Sequence, residues 1–462
     1  MKVKIQVVIE SDNPETPITE EVACIQRGEL TPETLGMTLA EAKDLLANVQ
    51  TTMVKQQTNE YIKKQSTCSL CGKPRSQKGN HEIVFRSLFG KIELPSPRLY
   101  ACLCHPQEKR SFSPLAELLP ERTAPELLYL QTKWASLMSY GLTVDLLEEV
   151  LPIRANVATT VRNLQEMAER SESELDKEQY MFVEGCQRDW ESLPPPDGPI
   201  TVGIDGGYVH ARDETSRKAG SFEVIVGKII TTEGVKKCFS FVNGYDQKPK
   251  RRLFETLKSQ GLQMNQDITF LSDGGDTVRD LQLYLNPFAE HLLDWFHITM
   301  RLTVMNQMAI GQPKDELLKN IEKDFESVKW YLWHGNVFRA LQLLGDIQMD
   351  LDSIEGENSA VSKLYQSVSE FITYISQNQA FIPNYGDRYR HGEMISTAFT
   401  ESTVNQVVSK RMVKKQQMRW TQKGAHLLLQ VRVQVLNDDW RDTFCRWYPS
   451  MTKTENSYKQ VA

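Results

Sequence analysis

Nowhere in the chain do about 18 apolar residues follow one another, and that absence excludes a transmembrane helix. The first residues, MKVKIQVVIESD, lack the long apolar core that a secretory leader places behind its charged start. They read as a β-strand, and the protein is expected in the cytosol. An excess of positive charge is missing too: 54 Lys and Arg stand against 60 Asp and Glu, a net charge of −6 at pH 7. A polyanionic partner must then be met by local basic patches, not by the field of the whole chain. Cysteine is scarce, with eight residues in 462, and a reducing compartment argues against disulfides. There is no low-complexity tract, and no internal repeat beyond two Asp-Gly-Gly signatures.

What is present is an ordinary globular composition, 40% hydrophobic and 25% charged, and enough chain for about two to four domains. Residues 1–66 read as a strand and a helix, the helix opened by the capping-box spacing Thr38-Leu-Ala-Glu41 and carrying Leu45, Leu46, Val49 and Met53 on one face. Residues 67–107 hold four of the cysteines, with strand-like text between them, and residues 108–193 read as helices. The run Leu193-Pro-Pro-Pro-Asp-Gly-Pro199 cannot continue a helix and marks a boundary. From 200 to 298 the texture is α/β: three strands joined as hairpins, then alternating helices and strands, the order of a ribonuclease-H-like domain. Residues 299–392 read as almost wholly helical, with Leu318, Ile321, Phe325, Val328 and Leu332 on one face and Val361, Leu364, Val368, Phe371 and Ile375 on another. Residues 393–462 complete the α/β part with a helix bearing Glu401, a basic run and a docked tail.

Asp205 ends the apolar run ITVGID and Asp273 ends ITFLSD, each followed by Gly-Gly. Ile200, Val202 and Ile204 share one face of the first strand, so Asp205 points to the other. Two carboxylates converging from neighbouring strand ends repel, and divalent cations relieve that repulsion. A pair of such ions can activate an attacking oxygen and stabilise the leaving one. The glycines would let a phosphate backbone come close. For each acid alone, a hairpin turn is the competing reading. Glu401, in the first turn of its helix, is the third carboxylate, with helix capping as its plain alternative and Glu393 as the next acid in line. From Ser402 to Asn437 there is no acid, but there are Lys410, Arg411, Lys414, Lys415, Arg419, Lys423 and Arg432, which suits a phosphate backbone. Trp420 is placed either against a base or in the core. Asp294-Trp-Phe-His297 sets a histidine between the second and third acids.

Cys68-x-x-Cys71 and Cys102-x-Cys104 offer four thiolates in two pairs, the pattern of a zinc ribbon, with His105 or His81 able to replace a cysteine. Residues 142–170 read as a helix-turn-helix or a plain helical hairpin. Leu142, Leu146, Leu147, Val150 and Leu151 form the first helix, Pro152 stops it, and Asn156 caps a second in which Val157, Val161 and Leu164 face inward. Arg154 and Arg162 would then face DNA.

Taken together, Asp205, Asp273 and Glu401 resemble the DDE triad of cut-and-paste transposases, and Asp294-x-x-His297 resembles the motif of their Mutator, hAT and P-element-like branch. The strings LSDGGD, LDWFHITMRLTV, ESTVNQVVSKRMVKKQQMRW and LFGKIELPSPRLYACLC are similar to bacterial insertion-sequence transposases of the Kra type. The resemblance spans about Cys68 to Trp440. It implies a ribonuclease-H-like catalytic domain with a large helical insertion, preceded by a zinc-ribbon-like module and a helix-turn-helix region. It also implies two Mg²⁺ (or Mn²⁺) ions on Asp205, Asp273 and Glu401, structural Zn²⁺ on the cysteines, and His297 as a supporting or DNA-contacting residue. The partners implied are double-stranded DNA, as terminal inverted repeats and target, and further copies of the chain, in a nucleoid-associated assembly. Some bacterial members carry Lys seven residues after the Glu; Val408 stands there, which leaves that grip to Lys410 or Arg411. A nuclease that only hydrolyses, or a transposase-derived regulator, is the alternative.

Overall fold

The computed structural model describes residues 1–10, 17–104, 110–178, 198–212, 220–232, 236–286, 289–311, 316–354, 359–413 and 418–451, with a few isolated positions between them. Two compact units divide the chain: Met1–Ala168 with Asp438–Ala462, and Glu169–Asn437.

The first unit begins with an antiparallel hairpin, β1 (Lys2–Ile9) and β2 (Ile18–Gln26), where a single strand had been read. Helix α1 (Leu39–Gln65) starts at the expected box: the Thr38 hydroxyl accepts from Glu41 N–H at 3.2 Å, and the Glu41 carboxylate accepts from Thr38 N–H at 2.9 Å. A three-stranded antiparallel sheet follows, β3 (Gln77–Ser87), β4 (Gly90–Tyr100) and β5 (Ser111–Phe112), with β4 central. Its core joins Ile83, Ile92 and Leu94 to Val54 of α1 and to Leu115 of the short α2 (Pro114–Leu118). Helices α3 (Pro125–Leu137), α4 (Tyr140–Val150) and α5 (Val157–Glu174), whose residues from Glu169 on belong to the second unit, come next.

In the second unit, β6 (Ile200–His210), β7 (Ser221–Ile230), β8 (Lys236–Val242), β9 (Ile268–Ser272) and β10 (Glu290–Leu293) form a mixed sheet in the order β10-β9-β6-β7-β8. β6, β7 and β8 pair antiparallel; β9 lies parallel to β6, and β10 parallel to β9. Ile200, Val202 and Ile204 turn their shared face into a core with Phe239, Phe270, Leu253 of α6 (Pro249–Lys258) and Leu281 of α7 (Asp276–Leu285). A wholly helical region follows: α8 (Trp295–Ile310), α9 (Glu316–Trp333), α10 (Val337–Ser353), α11 (Ser359–Asn378) and the short α12 (Tyr385–Arg390). The faces read from periodicity, from Leu318 to Leu332 and from Val361 to Ile375, are its buried core.

The chain returns to the sheet through α13 (Ala398–Val404), which runs directly into a π-helix, Asn405–Val413, and then α14 (Gln422–Leu436). Wider π turns leave backbone carbonyls poorly satisfied. Here the buried Arg432 donates from Nε to Val407 O at 2.8 Å and from Nη2 to Gln406 O at 2.5 Å. The last helix, α15 (Trp440–Trp447), belongs to the first unit, where Trp440 Nε1 donates to Thr132 of α3 at 3.0 Å and Arg441 forks onto Glu126. The tail had been assigned to the α/β part; its aromatic face is instead matched by α3. Among the described residues, no helix is long and apolar enough to cross a membrane.

Candidate active site and thiol cluster

Asp205 does not end its strand. β6 runs on to His210, and Gly206 and Gly207 are strand residues, not a turn. The glycines serve close packing against protein. A Cβ on Gly203 would collide with Thr400 and Phe399 of α13, and one on Gly207 would meet Val404 at 3.0 Å. Gly203, Asp205 and Gly207 alternate onto one face, so the carboxylate of Asp205 leaves the strand on the side that α13 covers. Asp273 does lie just past a strand end, exposed, its Oδ1 accepting from Gly275 N–H at 3.1 Å. Gly274 has φ +90°, and its missing side chain leaves room for the Asn378 amide at the end of α11.

β10 stops at Leu293, and Asp294 caps α8, so Trp295, Phe296 and His297 form a first helical turn rather than the end of a strand. Asp294 is fully buried. Its carboxylate accepts from Phe296 N–H at 2.8 Å, Thr397 N–H at 2.9 Å, His297 Nδ1 at 2.8 Å and the Thr397 hydroxyl. Burial alone would raise this carboxyl, but the bonds from His297 and Thr397 hold it below its ordinary range. An ionised carboxylate only accepts, so Nδ1 carries the proton and Nε2 is the histidine's outward atom. The Asp294 bond raises the His297 pKa despite burial, with Asp205 and Asp273 acting the same way.

Asp205 is half-buried, and burial pushes its carboxyl up; the Gly206 N–H and His297 pull it down, and Asp273 and Asp294 push it up again. These four residues therefore share one electrostatic site at the ends of β9 and β10 beside β6. Glu401 lies in the first turn of α13, as read, between Thr400 and Val404, the residues that bracket Asp205. It is exposed. Among the described residues, Asp205, Asp273 and Glu401 do not bring three ligand atoms within 4.8 Å of one another. Glu393 is elsewhere: Arg388 joins it, at 2.7 Å, to Glu290 at the start of β10, beside a cavity of about 730 Å³ at the opposite strand ends from the acids.

The basic run is not one surface. Arg411, read as a DNA contact, is fully buried with its guanidinium over the buried Trp420 at 5.3 Å. Arg432 is buried beside it, and burial and the Arg411 charge bring it down to about 10. Val408 is buried as well. Lys423 pairs with Glu169 at 2.8 Å. Lys410 and Arg419 are exposed; Lys414 and Lys415 lie outside the described residues. In the first unit Asn156 caps α5 through Thr159 N–H at 2.7 Å, and of the residues read as facing inward Leu164 is buried, Val161 half-buried and Val157 exposed. Leu142, Val150 and Val157 are exposed, while Thr143, Leu147, Thr160, Asn163 and Leu164 are buried. A buried polar ladder holds Thr160 and Asn163 of α5 inward: Gln131 of α3 donates to Thr160 Oγ1 and accepts from Asn163 Nδ2, both at 2.8 Å. Arg154 and Arg162 are exposed, Arg162 beside Glu166 at 3.7 Å.

Cys68, Cys71, Cys102 and Cys104 bring all four sulfurs within 4.8 Å of one another. Cys71 lies 3.5 Å and Cys104 3.3 Å from Cys102. A tetrahedron with metal–sulfur bonds of about 2.3 Å has edges of about 3.8 Å, so small outward movements fit an ion. The first knuckle is a tight turn, Gly72 N–H bonding Cys68 O at 2.9 Å and Gly72 taking φ +67°. The thiols act on one another: Cys102 pushes Cys104 up to about 12, while bonds from Cys104 and Cys71 lower Cys102. His81 stands on the exposed part of β3 outside this group, and His105 lies outside the described residues.

A second cluster gathers Glu172, Asp246 and His426 within the same distance. Its cation is already present. Arg252 donates to both Glu172 oxygens at 3.0 and 2.9 Å, to Asp246 at 2.9 Å and to Gln430 at 2.6 Å. A second positive ion beside a buried guanidinium is disfavoured, so this is a structural node. Burial opposes ionisation of Glu172, yet His426 and Arg252 hold it at about 2. A depressed carboxyl stabilises the fold above its unfolded value of 4.5, and that contribution is lost as pH falls through about 2. Arg252→Ala is expected to lower the unfolding free energy by about 3–5 kcal/mol, because two carboxylates lose their partner. Glu172→Gln should remove about 3 kcal/mol and flatten the acid limb of stability against pH. Urea titrations between pH 3 and pH 7, chosen to span about the carboxylate range, check both.

Sequence reading missed the partners that hold the acids. Thr397 anchors the start of α13. Ser272 Oγ pairs with the buried His291 at 2.9 Å, whose pKa burial and then Arg279 take down to about 4. Asn378 accepts from Arg279 beneath Gly274. Tyr385 donates to Leu293 O at 2.7 Å. None follows a motif, because each joins elements distant in sequence. Neither a scan against protein-family models nor a search of curated proteins returned a match.

Proposed function

We propose that the chain is a metal-dependent DNA transposase that cleaves the ends of an insertion sequence and joins them to target DNA. One observation carries the reading: Asp205, Asp273, Asp294 and His297 meet at one end of a mixed sheet, and the helix bearing Glu401 is docked across the face of Asp205. The strand order, three antiparallel strands followed by two parallel ones on the other side, supports a ribonuclease-H-like domain, and the helical region between β10 and α13 supports an insertion.

The donor set suits a hard cation. Asp205 and Asp273 offer oxygen, and at Asp205 the Gly206 N–H and His297 only partly offset burial and the neighbouring carboxylates. Asp205 and Asp273 would hold Mg²⁺ or Mn²⁺, with Glu401 reaching in from α13. Bound ions supply the polarisation needed to activate an attacking water or DNA 3′-hydroxyl and to stabilise the departing 3′-oxygen. His297, held by Nδ1, presents Nε2 to a phosphate or base. Asp294 positions it and fixes α13 through Thr397. The four thiols would hold Zn²⁺ as a structural ion.

Full-length protein incubated with Mg²⁺ and duplex DNA carrying the element's own termini should leave free 3′-hydroxyls. Asp205→Asn, Asp273→Asn and Glu401→Gln are each expected to lower cutting at least about 1000-fold while leaving DNA binding intact. Activity surviving in Glu401→Gln alone would move the third ligand elsewhere. Binding of the termini without cutting, under any divalent ion, would favour a regulator.

A further inference from the structure

We propose that the first unit carries a phosphodiester-binding pocket in which Arg86 and Arg154, with Lys91 and Lys43, hold the backbone of a DNA duplex. The inference rests on the DNA-processing reading above, but on a different unit from the carboxylates, and of its four cations Arg154 alone was read from the sequence as facing DNA. A cavity of about 470 Å³ opens among α1, the β3–β4 turn and the loop between α4 and α5. Lys43 comes from α1, Arg86 and Lys91 flank the strand turn, and Arg154 comes from the loop. Four cations from three separate segments meet there in a chain whose net charge is −6.

Their charge is not cancelled locally. Glu148 is the acid in the lining, and it is occupied: its Oε1 accepts from Ala155 N–H at 2.9 Å, and its carbonyl accepts from Lys43 Nζ at 2.8 Å. Lys91 is near Glu93 at 3.7 Å, with both side chains largely exposed, where pairing contributes little. Arg86 and Arg154 are exposed, and among the described residues neither has a carboxylate within ion-pair distance. Such a cavity attracts an anion with several oxygens, and arginine offers a planar fork for phosphate.

The lining favours a polymer backbone over a free nucleotide. A nucleotide site supplies a ring to stack on the base, and among the described residues no aromatic side chain lines this cavity. Leu127, Leu151, Pro152 and Ile153 form its apolar part. The cations do not read sequence; they set where a duplex lies on the unit.

The test is anisotropy of a labelled duplex with full-length protein, with no divalent metal added, from about 50 to about 300 mM salt, where counterion release is large. The double variant Arg86→Gln/Arg154→Gln is expected to weaken binding about tenfold or more at about 150 mM salt. The slope of log Kd against log salt should fall by about 1.8, that is, about 0.9 for each lost phosphate contact. Lys4→Gln, on β1 outside the cavity and beside Glu21, should keep the wild-type slope. Because both arginines are exposed, the variant should melt with the wild type; Arg86→Lys/Arg154→Lys, which keeps the charge, should retain the slope whatever the change in melting. An unchanged slope in the glutamine variant overturns the pocket, as does a wild type that binds no duplex. Saturable binding of a mononucleotide or inorganic phosphate that needs Arg86, with the duplex slope unaltered, makes it a small-anion site instead and equally overturns the proposal. A reduced slope in a protein that never cuts DNA leaves the pocket standing and removes only the transposase reading.

Discussion

Asp294→Ala is expected to lower the unfolding free energy by about 3–5 kcal/mol and to abolish DNA cutting. The fully buried carboxylate has four donors around it, from Phe296, His297 and, twice, Thr397. Removing it leaves buried N–H groups without acceptors, strips α8 of its N-cap and unties the residue that begins α13. Asp294→Asn separates shape from charge. Its oxygen can still accept from Phe296 and Thr397, so the stability loss should be smaller, but the charge that raises His297 is gone. The direction with pH follows. A histidine raised in the folded state contributes stability that is complete below its unfolded value of 6.5 and is lost as pH rises through its folded value. Asp294, depressed, contributes above 3.8 and loses that contribution on acidification. Wild-type stability should therefore decline on the alkaline side of 6.5, and Asp294→Asn should remove much of that decline. Urea midpoints across the neutral range measure it; parallel curves for the two proteins would show that the pair contributes nothing.

Chelation should have the other large effect. If Zn²⁺ joins the four thiols, its removal takes away on the order of 10 kcal/mol of binding free energy that the folded knuckles retain. Outside this ion the knuckles rest on a short turn and a two-residue strand pairing between β4 and β5. Purified protein should contain one equivalent of zinc by elemental analysis. Cys71→Ser, which alters an exposed ligand and leaves the buried Cys68 in place, should lose it. Amide exchange over 67–104 should then rise, while the mixed sheet of the second unit keeps its protection. Protein that carries no zinc, and whose exchange is the same with and without chelator, would remove the metal from this module.

What could be read from the chain was local and periodic. Ile200, Val202 and Ile204 repeat every second residue, and Leu318 to Leu332 every third or fourth, so their buried faces follow from geometry that needs no partner. The Thr38 box and the Asn156 cap are equally local. What could not be read depends on a neighbour far along the chain. Gly206-Gly207 looks like a turn until Val404 and Val408 are known to lie against it. Val157 looks like a core residue until a polar ladder from Gln131 is seen to turn Thr160 and Asn163 of α5 inward. Arg411 looks like a DNA contact until Trp420 is found under it. In the candidate site the charged residues were visible as types at strand and helix ends; the role of Asp294 was not, because its second partner, Thr397, lies 103 residues away.

The π-helix after α13 has a consequence for what lengths this chain can tolerate. Each α-helical residue advances the chain by about 100°, so a wider turn absorbs an extra residue that an α-helix would have to expel. From Asn405 to Val413 the extra length keeps Val407, Val408 and Met412 turned inward and leaves the carbonyls of Gln406 and Val407 for Arg432. Point substitutions on the outer face, at Gln406 or Lys410, leave this phase untouched. A one-residue deletion does not, even if the residue lost is a solvent-facing one: it turns everything downstream by about a quarter of a revolution and strands a buried guanidinium. The number of residues in this segment is constrained more tightly than their identity, and insertions or deletions elsewhere on the unit's surface should be tolerated where a single one here is not.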